Sequence, residues 1–496
     1  MQIGSLIRRA AVRYKDAPCL VEGTRVVSFR AFDALTDRLG NALLEGGLAP
    51  GDRVGVLLPN GIDCLVAYYA LAKAGLVRVS LNTRETEENH RYKLEDSGSR
   101  AVIHGGGWGD LGVAMPIDPI GLDRMIADAP SKPCAVDRAL DAPLRLGYTG
   151  GTTGRPKAVT LTTRGELSEL SAFLTDLVTE LSASDTFLHA APIAHASGAF
   201  FLPALVRGAR SLVMEKFDPA RFVELASRER AHLTFLVPTM LAMILEEPSL
   251  PATELHFRRI MYGASPISPS VLQRAEARFG RVFAQTYGQA ESPMVITCLQ
   301  PEDHDRIGSC GRPFTCVEVA VVDDADRFLP PGEPGEIVCR GPQTMAYYWN
   351  RPDATAEAFR NGWLHTGDVG RMDEDGFFYI LDRKNDMLIS GGYNVYPREV
   401  EEVLLSVEGV IEAAVVGLPD EKWGDRVHAV IAGREGLDAA SVLAYAAGKL
   451  AGYKLPKSIE VWTDLPKSGA NKIMRRTIRD QIIARDRVAG SAGVGK

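Results

Sequence analysis

The sequence predicts an α/β protein with a large N-terminal part and a smaller α+β C-terminal part. Over most of its length, apolar strand-like runs alternate with helical stretches, a pattern typical of layered α/β sheets with largely parallel strands. From about residue 317, short strands joined by tight turns replace this alternation. After Asp382 the pattern becomes that of a small α+β unit. We therefore predict a boundary in the charged stretch 383–386, with domains at 1–384 and 385–496.

The individual elements follow from the local patterns. Short apolar runs between polar or turn-forming residues predict strands at 53–58, 77–81, 187–193, 210–214, 234–237, 259–263, 282–287, 317–322, 336–340, 377–381, 413–417 and 427–431. The stretches between them predict helices at 62–74, 219–230, 268–279, 397–405 and 439–450. The tetrapeptide Asp-Glu-Asp-Gly376 predicts a hairpin turn just before the strand at 377–381.

The composition limits the class of protein. A chain of 496 residues is too long for one hydrophobic core, so several domains are expected. Its 46% hydrophobic and 24% charged residues are typical of a soluble globular protein. The net charge of −7 argues against nucleic acid as a main partner. A local positive site can still bind an anion on an acidic protein.

The cysteines and the apolar segments indicate the compartment. Seven cysteines are scattered without any C-x-x-C pair, which favours free thiols in a reducing compartment and makes a zinc site unlikely. The N-terminal residues contain no apolar signal core. No apolar stretch is long enough to span a membrane. We therefore expect a cytoplasmic protein without a membrane span.

The most informative segment is Tyr148-Thr-Gly-Gly-Thr-Thr-Gly-Arg-Pro-Lys157, which follows the strand-like run 144–147. Its three glycines let the backbone turn around an anion, and its three threonines and Lys157 add donors and a positive charge. It is not the P-loop motif, since Arg-Pro separates Gly154 from the lysine. The segment predicts a polyphosphate-binding loop, and the alternative is an ordinary surface turn.

With five further segments, this loop resembles the adenylate-forming superfamily of acyl-CoA synthetases, peptide-synthetase adenylation domains and luciferases. The resemblance runs in order over nearly the whole chain, through Gly263-Ala-Ser-Pro266, Tyr287-Gly-Gln-Ala-Glu291, Trp363-Leu-His-Thr-Gly-Asp368, Asp382-Arg-Lys-Asn-Asp386 with Gly391-Gly-Tyr-Asn-Val-Tyr-Pro397, and Pro466-Lys-Ser-Gly-Ala-Asn-Lys472. It implies the adenylate-forming enzyme fold, with a large N-terminal domain of several subdomains and a small mobile C-terminal domain. It also implies ATP, Mg²⁺ and CoA as ligands.

The resemblance assigns residues to the nucleotide and to CoA. Those matching the family's ATP- and CoA-binding positions are Thr149, Gly150, Gly151, Thr152, Thr153, Gly154, Lys157, Gly263, Ala264, Ser265, Tyr287, Gly288, Asp368, Arg383 and Gly392. Tyr287 would stack on adenine, Asp368 and Arg383 would hold the ribose, and Gly392 would adjoin the pantetheine arm. Without the family, Tyr287 is a core tyrosine, Asp368 a turn residue and Arg383 part of a surface ion pair.

The catalytic assignments also follow from the resemblance. Glu291 matches a Mg²⁺ ligand, and Lys472 matches the lysine that contacts the carboxylate and the α-phosphate. The alternatives are a solvated carboxylate and a solvated surface lysine. Asn385 matches the hinge, where the alternative is a plain linker residue. The chain departs from the family at Ala290, where relatives carry threonine, at Gly150, where they carry serine, and at Asn471, where they carry glycine.

A second group of residues suggests an uncharged, roomy acyl pocket. Its members are His195, Gly198, Ala199, Phe200, Met240 and Met261. His195, the third catalytic candidate, matches a histidine or aromatic residue beside the acyl pocket, which implies that it gates the approach of the substrate carboxylate. The alternative is a hydrogen-bonded packing histidine.

The leading hypothesis is an acyl-CoA ligase that activates a medium- or long-chain fatty acid, or an aryl acid, with ATP and transfers it to CoA. The run 346–359 resembles fatty-acyl and aryl-CoA ligases. A stand-alone enzyme that loads an acyl carrier protein is the second hypothesis. A nucleotide-binding regulator with little turnover is the third, suggested by Ala290 and Asn471. A homodimer is a further expectation.

Overall fold

A computed structural model describes residues 1–149, 155–384, 386–420, 422–467 and 473–493, and side chains up to residue 486. The predicted sites Gly150, Gly151, Thr152, Thr153 and Gly154 lie outside the described residues, as do Asn385 and Lys472.

The first part of the chain contains most strands of one large sheet, two edge strands of another, and the helices beside them. Its elements are α1 (Ile3–Tyr14), β1 (Pro18–Glu22), β2 (Arg25–Ser28), α2 (Phe29–Glu45), β3 (Arg53–Leu57), α3 (Ile62–Lys73), β4 (Val77–Ser80), α4 (Glu87–Ser97), β5 (Ser99–His104), β6 (Met115–Ile117), α5 (Pro119–Asp128) and β7 (Pro143–Tyr148).

The second part alternates strands and helices. Its elements are β8 (Ala158–Thr162), α6 (Thr163–Ala172), a π-helical turn (Phe173–Leu177), β9 (Thr186–His189), α7 (Ala196–Ala199), α8 (Phe201–Arg207), β10 (Arg210–Val213), α9 (Pro219–Arg228), β11 (Leu233–Leu236), α10 (Pro238–Leu245), a 3-10 turn (Leu250–Ala252), β12 (Arg259–Gly263), α11 (Pro269–Phe279), β13 (Phe283–Gln289), β14 (Ser292–Leu299), a 3-10 turn (Pro301–Asp303) and β15 (Arg312–Pro313).

The remainder is richer in antiparallel strands. Its elements are β16 (Glu318–Val322), β17 (Gly335–Arg340), β18 (Tyr347–Tyr348), α12 (Pro352–Ala358), β19 (Phe359–Arg360), β20 (Trp363–Met372), β21 (Phe378–Arg383), β22 (Leu388–Ser390), β23 (Tyr393–Val395), α13 (Pro397–Leu405), β24 (Val410–Asp420), β25 (Gly424–Gly433), α14 (Ala439–Ala447), β26 (Ser458–Val461) and α15 (Arg475–Gly493).

Two large sheets dominate the N-terminal part. Within the described chain, one has nine strands in the order β15-β14-β13-β12-β11-β9-β10-β1-β2, and the other seven in the order β18-β8-β7-β4-β3-β5-β6. The strands from β13 to β1 in the first sheet and from β7 to β6 in the second pair in parallel. Strands buried on both faces, such as β9 and β11, read as continuous apolar runs in the sequence. The prediction of layered, largely parallel α/β sheets is confirmed.

Two smaller sheets follow. In the residues that the structure describes, β16, β17, β20, β19 and β21 form an antiparallel sheet. β23, β22, β25, β24 and β26 form a mixed sheet, in which, among the described pairings, only β26 pairs in parallel. The hairpin predicted at Gly376 joins β20 to β21, and Gly376 has the positive φ of 81° that such a turn favours. The first of these sheets ends at Arg383 and the second begins at Leu388. The predicted boundary falls between them and stays a prediction.

The last sheet has an apolar core on each face. Alternate residues of β24 belong to different cores: Ala413 and Val415 pack with α13 and α14, whereas Ala414 and Val416 pack with α15. Because strand side chains alternate between faces, the run Ala413–Gly417 could be predicted as a strand but its second buried face could not.

Capping and strain explain the small differences at the ends of helices. Ser268 was predicted to start a helix but is its N-cap, where its Oγ accepts a hydrogen bond from the Val271 N–H at 3.2 Å. The helix predicted at 219–230 ends at Arg228, because Arg230 has a left-handed φ of 49°. Among the described helices, none is long and apolar enough to cross a membrane.

Candidate active site

The base of the Gly/Thr loop is closed by strand pairing. β7 and β8 are antiparallel with Tyr148 opposite Ala158, so the loop joins the two strands of a hairpin. The Thr149 N–H donates to the Lys157 carbonyl at 3.0 Å, and the Lys157 N–H donates to Thr149 Oγ1 at 3.3 Å. The hairpin thus presents Thr149 and Lys157 on either side of the loop entrance.

Helix α4 supports both sides of this loop. The Tyr148 hydroxyl donates to Asp96 Oδ2 at 3.0 Å, and Arg351 pairs with the other oxygen of Asp96 at 2.6 Å. On the far side, the Tyr92 hydroxyl donates to the Pro156 carbonyl at 2.9 Å. Burial, followed by the charge of Asp96, raises the pKa of Tyr148. The sequence analysis missed these supports, since nothing local distinguishes Asp96 from the other acidic residues of α4.

Lys157 and Glu291 meet through a third residue that the sequence analysis did not select. Lys157 Nζ lies 4.6 Å from the centroid of the Tyr348 ring, and the Tyr348 hydroxyl donates to Glu291 Oε1 at 2.5 Å. The Glu291 carbonyl accepts from the Met345 N–H at 2.7 Å, which fixes its backbone. The structure therefore brings the loop lysine and the candidate metal ligand into one cluster.

The candidate ribose site is a buried carboxylate with two partners. The Tyr287 hydroxyl donates to Asp368 Oδ2 at 2.6 Å, and Arg383 Nε lies 3.1 Å from Asp368 Oδ1. Burial and the Asp368 charge raise the pKa of Tyr287, and Asp368 raises that of Arg383. Tyr287 is itself 8% exposed. A carboxylate has about four acceptor positions, so Asp368 retains capacity for hydroxyl donors.

Close backbone approach explains the glycines near β12 and β13. A Cβ on Gly263 would lie 2.5 Å from the Thr286 carbonyl oxygen, and one on Gly288 would lie 2.4 Å from the Met294 nitrogen. Ala264, directly after β12, has a φ of 71°, which is strained for alanine. Ser265 follows it at the same end of the strand, where functional residues of parallel sheets collect.

The His195 segment is organised around a buried histidine. His189, at the end of β9, bonds through Nδ1 to Ser197 Oγ at 3.1 Å and through Nε2 to Ser211 Oγ at 3.2 Å. Burial lowers its pKa to about 4, so it is neutral near neutral pH. His195 itself is exposed, and its Nε2 lies 2.9 Å from Asn82 Nδ2. The role of His195 beside the acyl pocket stays a prediction.

The other predicted acyl-pocket residues differ in environment. Phe200 is fully buried in a stack with Phe173, Phe187 and Phe235, at ring-centroid distances of 4.9, 5.3 and 5.5 Å. Met261 and Met240 are also buried, whereas Gly198 and Ala199 are partly exposed. A Cβ on Gly198 would lie 2.2 Å from the Ile193 oxygen, so only glycine fits there. Their role as a pocket stays a prediction.

Gly392 lies in the tight turn between β22 and β23. Gly391 and Gly392 have φ values of 58° and 81°, and Ser390 pairs with Tyr393 across the turn. Two successive positive φ angles are the requirement of a type I′ hairpin turn. Gly391 packs against Trp423, while the side of Gly392 where a Cβ would lie is open.

Arg475, another residue that the sequence analysis missed, joins the two parts of the chain. Its Nη1 lies 3.0 Å from Asp382 Oδ1 and 3.0 Å from Asp386 Oδ2, and its Nη2 lies 2.6 Å from Glu401 Oε2. Asp382 is buried and also accepts from the Arg398 N–H at 2.7 Å. In sequence, Asp382 and Asp386 lie on either side of the predicted hinge residue, Asn385. Arg475 is the first residue of α15, the helix that follows the predicted catalytic lysine.

The donor set fits a nucleotide with a hard cation. Lys157 and the Thr149 hydroxyl suit phosphate oxygens, and Asp368 suits ribose hydroxyls. Glu291 is partly exposed; its Oε1 accepts from Tyr348, and Oε2 is the oxygen that a cation would take. Mg²⁺ typically uses one or two carboxylates together with phosphate oxygens.

Comparison with known proteins identifies the family and several relatives of this chain. The family model described as AMP-binding enzyme matches residues 7–349, and the model of the AMP-binding enzyme C-terminal domain matches residues 399–472. The medium/long-chain-fatty-acid–CoA ligase FadD8 of Mycobacterium tuberculosis is 36% identical, covering 96% of this chain and 89% of that relative. The feruloyl-CoA synthase of an Amycolatopsis species is also 36% identical, covering 96% of this chain and 98% of the relative.

A solved structure shows the same fold. It is o-succinylbenzoate CoA synthetase (MenE) from Bacillus subtilis in complex with the acyl-adenylate intermediate OSB-AMP. It matches with a TM-score of 0.88 at 30% identity, covering 96% of this chain and 97% of that one.

Replacement of Arg475 by methionine should destabilise the C-terminal part. It leaves Asp382 buried without its cation, and breaking such a buried pair costs about 3 kcal/mol. We expect a lower midpoint in urea, followed by tryptophan fluorescence, because Trp423 and Trp462 lie in this part. Arg476→Met is the matched control, since the Arg476 side chain is 61% exposed and no measurable change is expected. Equal urea midpoints for the two variants would contradict a stabilising role of the Arg475 ion pairs.

Acid should weaken the fold through His189. Its folded pKa of about 4 lies below its usual 6.5, so the unfolded chain takes up a proton first as the pH falls. The contribution of His189 to the free energy of unfolding is fully present above about pH 6.5. It falls by about 2 kcal/mol between about pH 7 and pH 5. His189→Asn should be less stable at pH 7 and lose less on acidification, measured by urea unfolding at both values. An unchanged pH slope in the variant would rule out this contribution.

Proposed function

The chain belongs to the AMP-binding enzyme family, and on that premise we propose that it is an AMP-forming ligase joining a fatty or aryl carboxylic acid to coenzyme A. The observation that carries the proposal is the pairing of the phosphate-loop lysine, Lys157, with Glu291 through Tyr348. Tyr287, close to Glu291 in sequence, binds Asp368. Together these residues supply the groups that an adenylation site needs: a cation for phosphate, a carboxylate for a metal and a carboxylate for ribose.

In the first half-reaction, an oxygen of the substrate carboxylate attacks the α-phosphorus of ATP. The bond from the α-phosphorus to its bridging oxygen breaks, and pyrophosphate leaves with the electron pair. We propose that Lys157, Thr149 and the glycines and threonines at 150–154 bind the leaving pyrophosphate, as their donors and charge support. Mg²⁺, when bound, would neutralise phosphate charge, with Glu291 as its protein ligand.

For the nucleoside, we propose that Asp368 binds the ribose hydroxyls and that Arg383 keeps this carboxylate oriented. The 3.1 Å ion pair and the Tyr287 hydrogen bond support that arrangement. The hydroxyl of Tyr287 is thereby fixed, which orients its ring for adenine. Gly263, Ala264, Ser265 and Gly288 would border the adenine and the phosphates through their backbone.

Lys472 would supply the remaining charge of the first step. We propose that its ammonium group contacts both the attacking carboxylate and the α-phosphate, reducing their repulsion. Ala290 cannot give the α-phosphate the hydroxyl that relatives provide. Ala290 packs instead against the main apolar core, so the threonine is replaced by a core contact.

In the second half-reaction, the thiol of CoA attacks the acyl carbonyl carbon and AMP leaves. We propose that the domain 385–496 rotates about Asn385 relative to 1–384 between the steps. The open side of Gly392 would then adjoin the pantetheine arm. The Asp382–Arg475 pair is a contact between the two parts that such a rotation would have to rearrange.

The acid is proposed from the character of the candidate pocket. Gly198 and Ala199 are small, Met240 and Met261 are apolar, and Phe200 lies behind them in the aromatic core. His195, on the exposed side, would meet the carboxylate. Such a lining favours an uncharged acyl chain or ring. The two relatives, named as a fatty-acid–CoA ligase and a feruloyl-CoA synthase, support the same class of acid.

The decisive experiment measures AMP formation with a panel of fatty, cinnamic and benzoic acids, each with ATP, Mg²⁺ and either CoA or a holo-acyl carrier protein. We expect acid-dependent AMP release and an acyl-CoA thioester, identified by mass spectrometry. If the thioester forms only on the carrier protein, the acyl acceptor is the carrier protein rather than CoA. ATP binding without pyrophosphate release for any acid would instead support a nucleotide-binding regulator.

Replacement of Lys472 by alanine should damage adenylation far more than thioester formation. Loss of a charge partner in the transition state costs ~3 kcal/mol, or ~10²-fold in rate. The variant is given either ATP and acid, or synthetic acyl-adenylate and CoA, and the two rates are compared with wild type. Lys467→Ala is the control, since Lys467 is held by Glu412 at 2.8 Å and Asp464 at 2.6 Å. An equal loss in both half-reactions would remove Lys472 from this role.

A further inference from the structure

Tyr348 connects the two large sheets at the candidate active site. It lies in the two-residue strand β18, which pairs with β8 in the seven-stranded sheet, and its hydroxyl reaches Glu291 between β13 and β14 of the nine-stranded sheet. The ring is 8% exposed. Tyr348 therefore links Glu291, beside the nine-stranded sheet, to Lys157, beside the seven-stranded sheet.

Strand register explains why Lys157 lies over this ring. Tyr348 is directly opposite Val159, and Lys157 precedes Val159 by two positions, so all three side chains share one face. The ammonium group then falls 4.6 Å from the ring centroid, a cation–π distance. Lys157 is therefore directed by the same residue that orients Glu291.

The backbone of Tyr348 is held at both polar groups. Its N–H donates to Thr355 Oγ1 at 3.0 Å, and its carbonyl accepts from the Arg351 N–H at 3.1 Å. The hydroxyl donates to Glu291 Oε1 at 2.5 Å. The phenol of Tyr348, on this fixed backbone, is therefore directed at Glu291.

We propose that Tyr348 is a positioning residue for the metal: its hydroxyl holds Glu291 so that Oε2 faces the cation, while its ring keeps Lys157 beside the phosphate loop. Tyr348 acts through these two residues and contacts neither the acid nor the phosphates. The inference rests on the proposed function, because it needs a nucleotide bound with Mg²⁺.

The test variant is Tyr348→Phe, which keeps the ring beneath Lys157 and removes only the hydroxyl. Binding of the non-cleavable α,β-methylene-ATP is measured by calorimetry, once with Mg²⁺ and once with EDTA. We expect affinity about tenfold weaker with Mg²⁺, the effect of one hydrogen bond to a charged group, and unchanged affinity in EDTA. In pyrophosphate–ATP exchange, the Mg²⁺ concentration for half-maximal rate should rise about tenfold, with the KM for the acid unchanged.

Tyr347→Phe is the matched control, because Tyr347 is the neighbouring residue of the same strand, is 37% exposed and stacks on Trp349. It should behave as wild type in all three measurements. If Tyr348→Phe weakens nucleotide binding equally in Mg²⁺ and in EDTA, the role of Tyr348 is purely structural and the proposal is overturned. A Tyr348→Phe variant with the Mg²⁺ dependence of wild type would also overturn it. A wild-type protein that shows no Mg²⁺-dependent nucleotide binding would count against the proposed function itself.

Discussion

The pairing of strand β8 on both of its edges is the constraint on which the candidate site depends. On one edge it pairs with β7, and this hairpin brings Thr149 and Lys157 together at the base of the loop. On the other edge it pairs with β18, and that register places Tyr348 beneath Lys157. A shift of one residue would turn these side chains to the opposite face, so the site depends on the register of both pairings.

Among the described residues, three acidic side chains near the site, each with little exposure, have hydrogen-bond or ion-pair partners. Asp96 is held by Tyr148 and Arg351, Asp368 by Tyr287 and Arg383, and Asp382 by Arg475 and Arg398. Removing a carboxylate from water is unfavourable unless hydrogen bonds and cations compensate. Because these partners are part of the fold, the negative groups are oriented before any ligand binds. Such preorganisation is what a site that stabilises developing charge requires.

A polar cluster at Asp382 lies between the two proposed domains. Asp382 belongs to β21, the last strand of the N-terminal part, and its partners Arg475 and Arg398 belong to the C-terminal part. The C-terminal part meanwhile has apolar cores on both faces of its own sheet. A unit with its own cores and a polar junction can change orientation without exposing a core, which is consistent with the proposed rotation.

The sequence by itself determined the family motifs and part of the element order, because both are local. The caps, the paired glycines at Gly391 and the Gly/Thr loop leave signals within a few residues. Most of the predicted strands and helices lie within a few residues of their predicted bounds, whereas elements such as α1, α2, β1 and β2 were not predicted. Tertiary structure alone decided the roles of Tyr348 and Arg475. Tyr348 is 57 residues from Glu291, and Arg475 is 93 from Asp382. A tyrosine in a strand and an arginine at the start of a helix are common everywhere, and their partners depend on which strands and helices pack together, a choice set by the whole core.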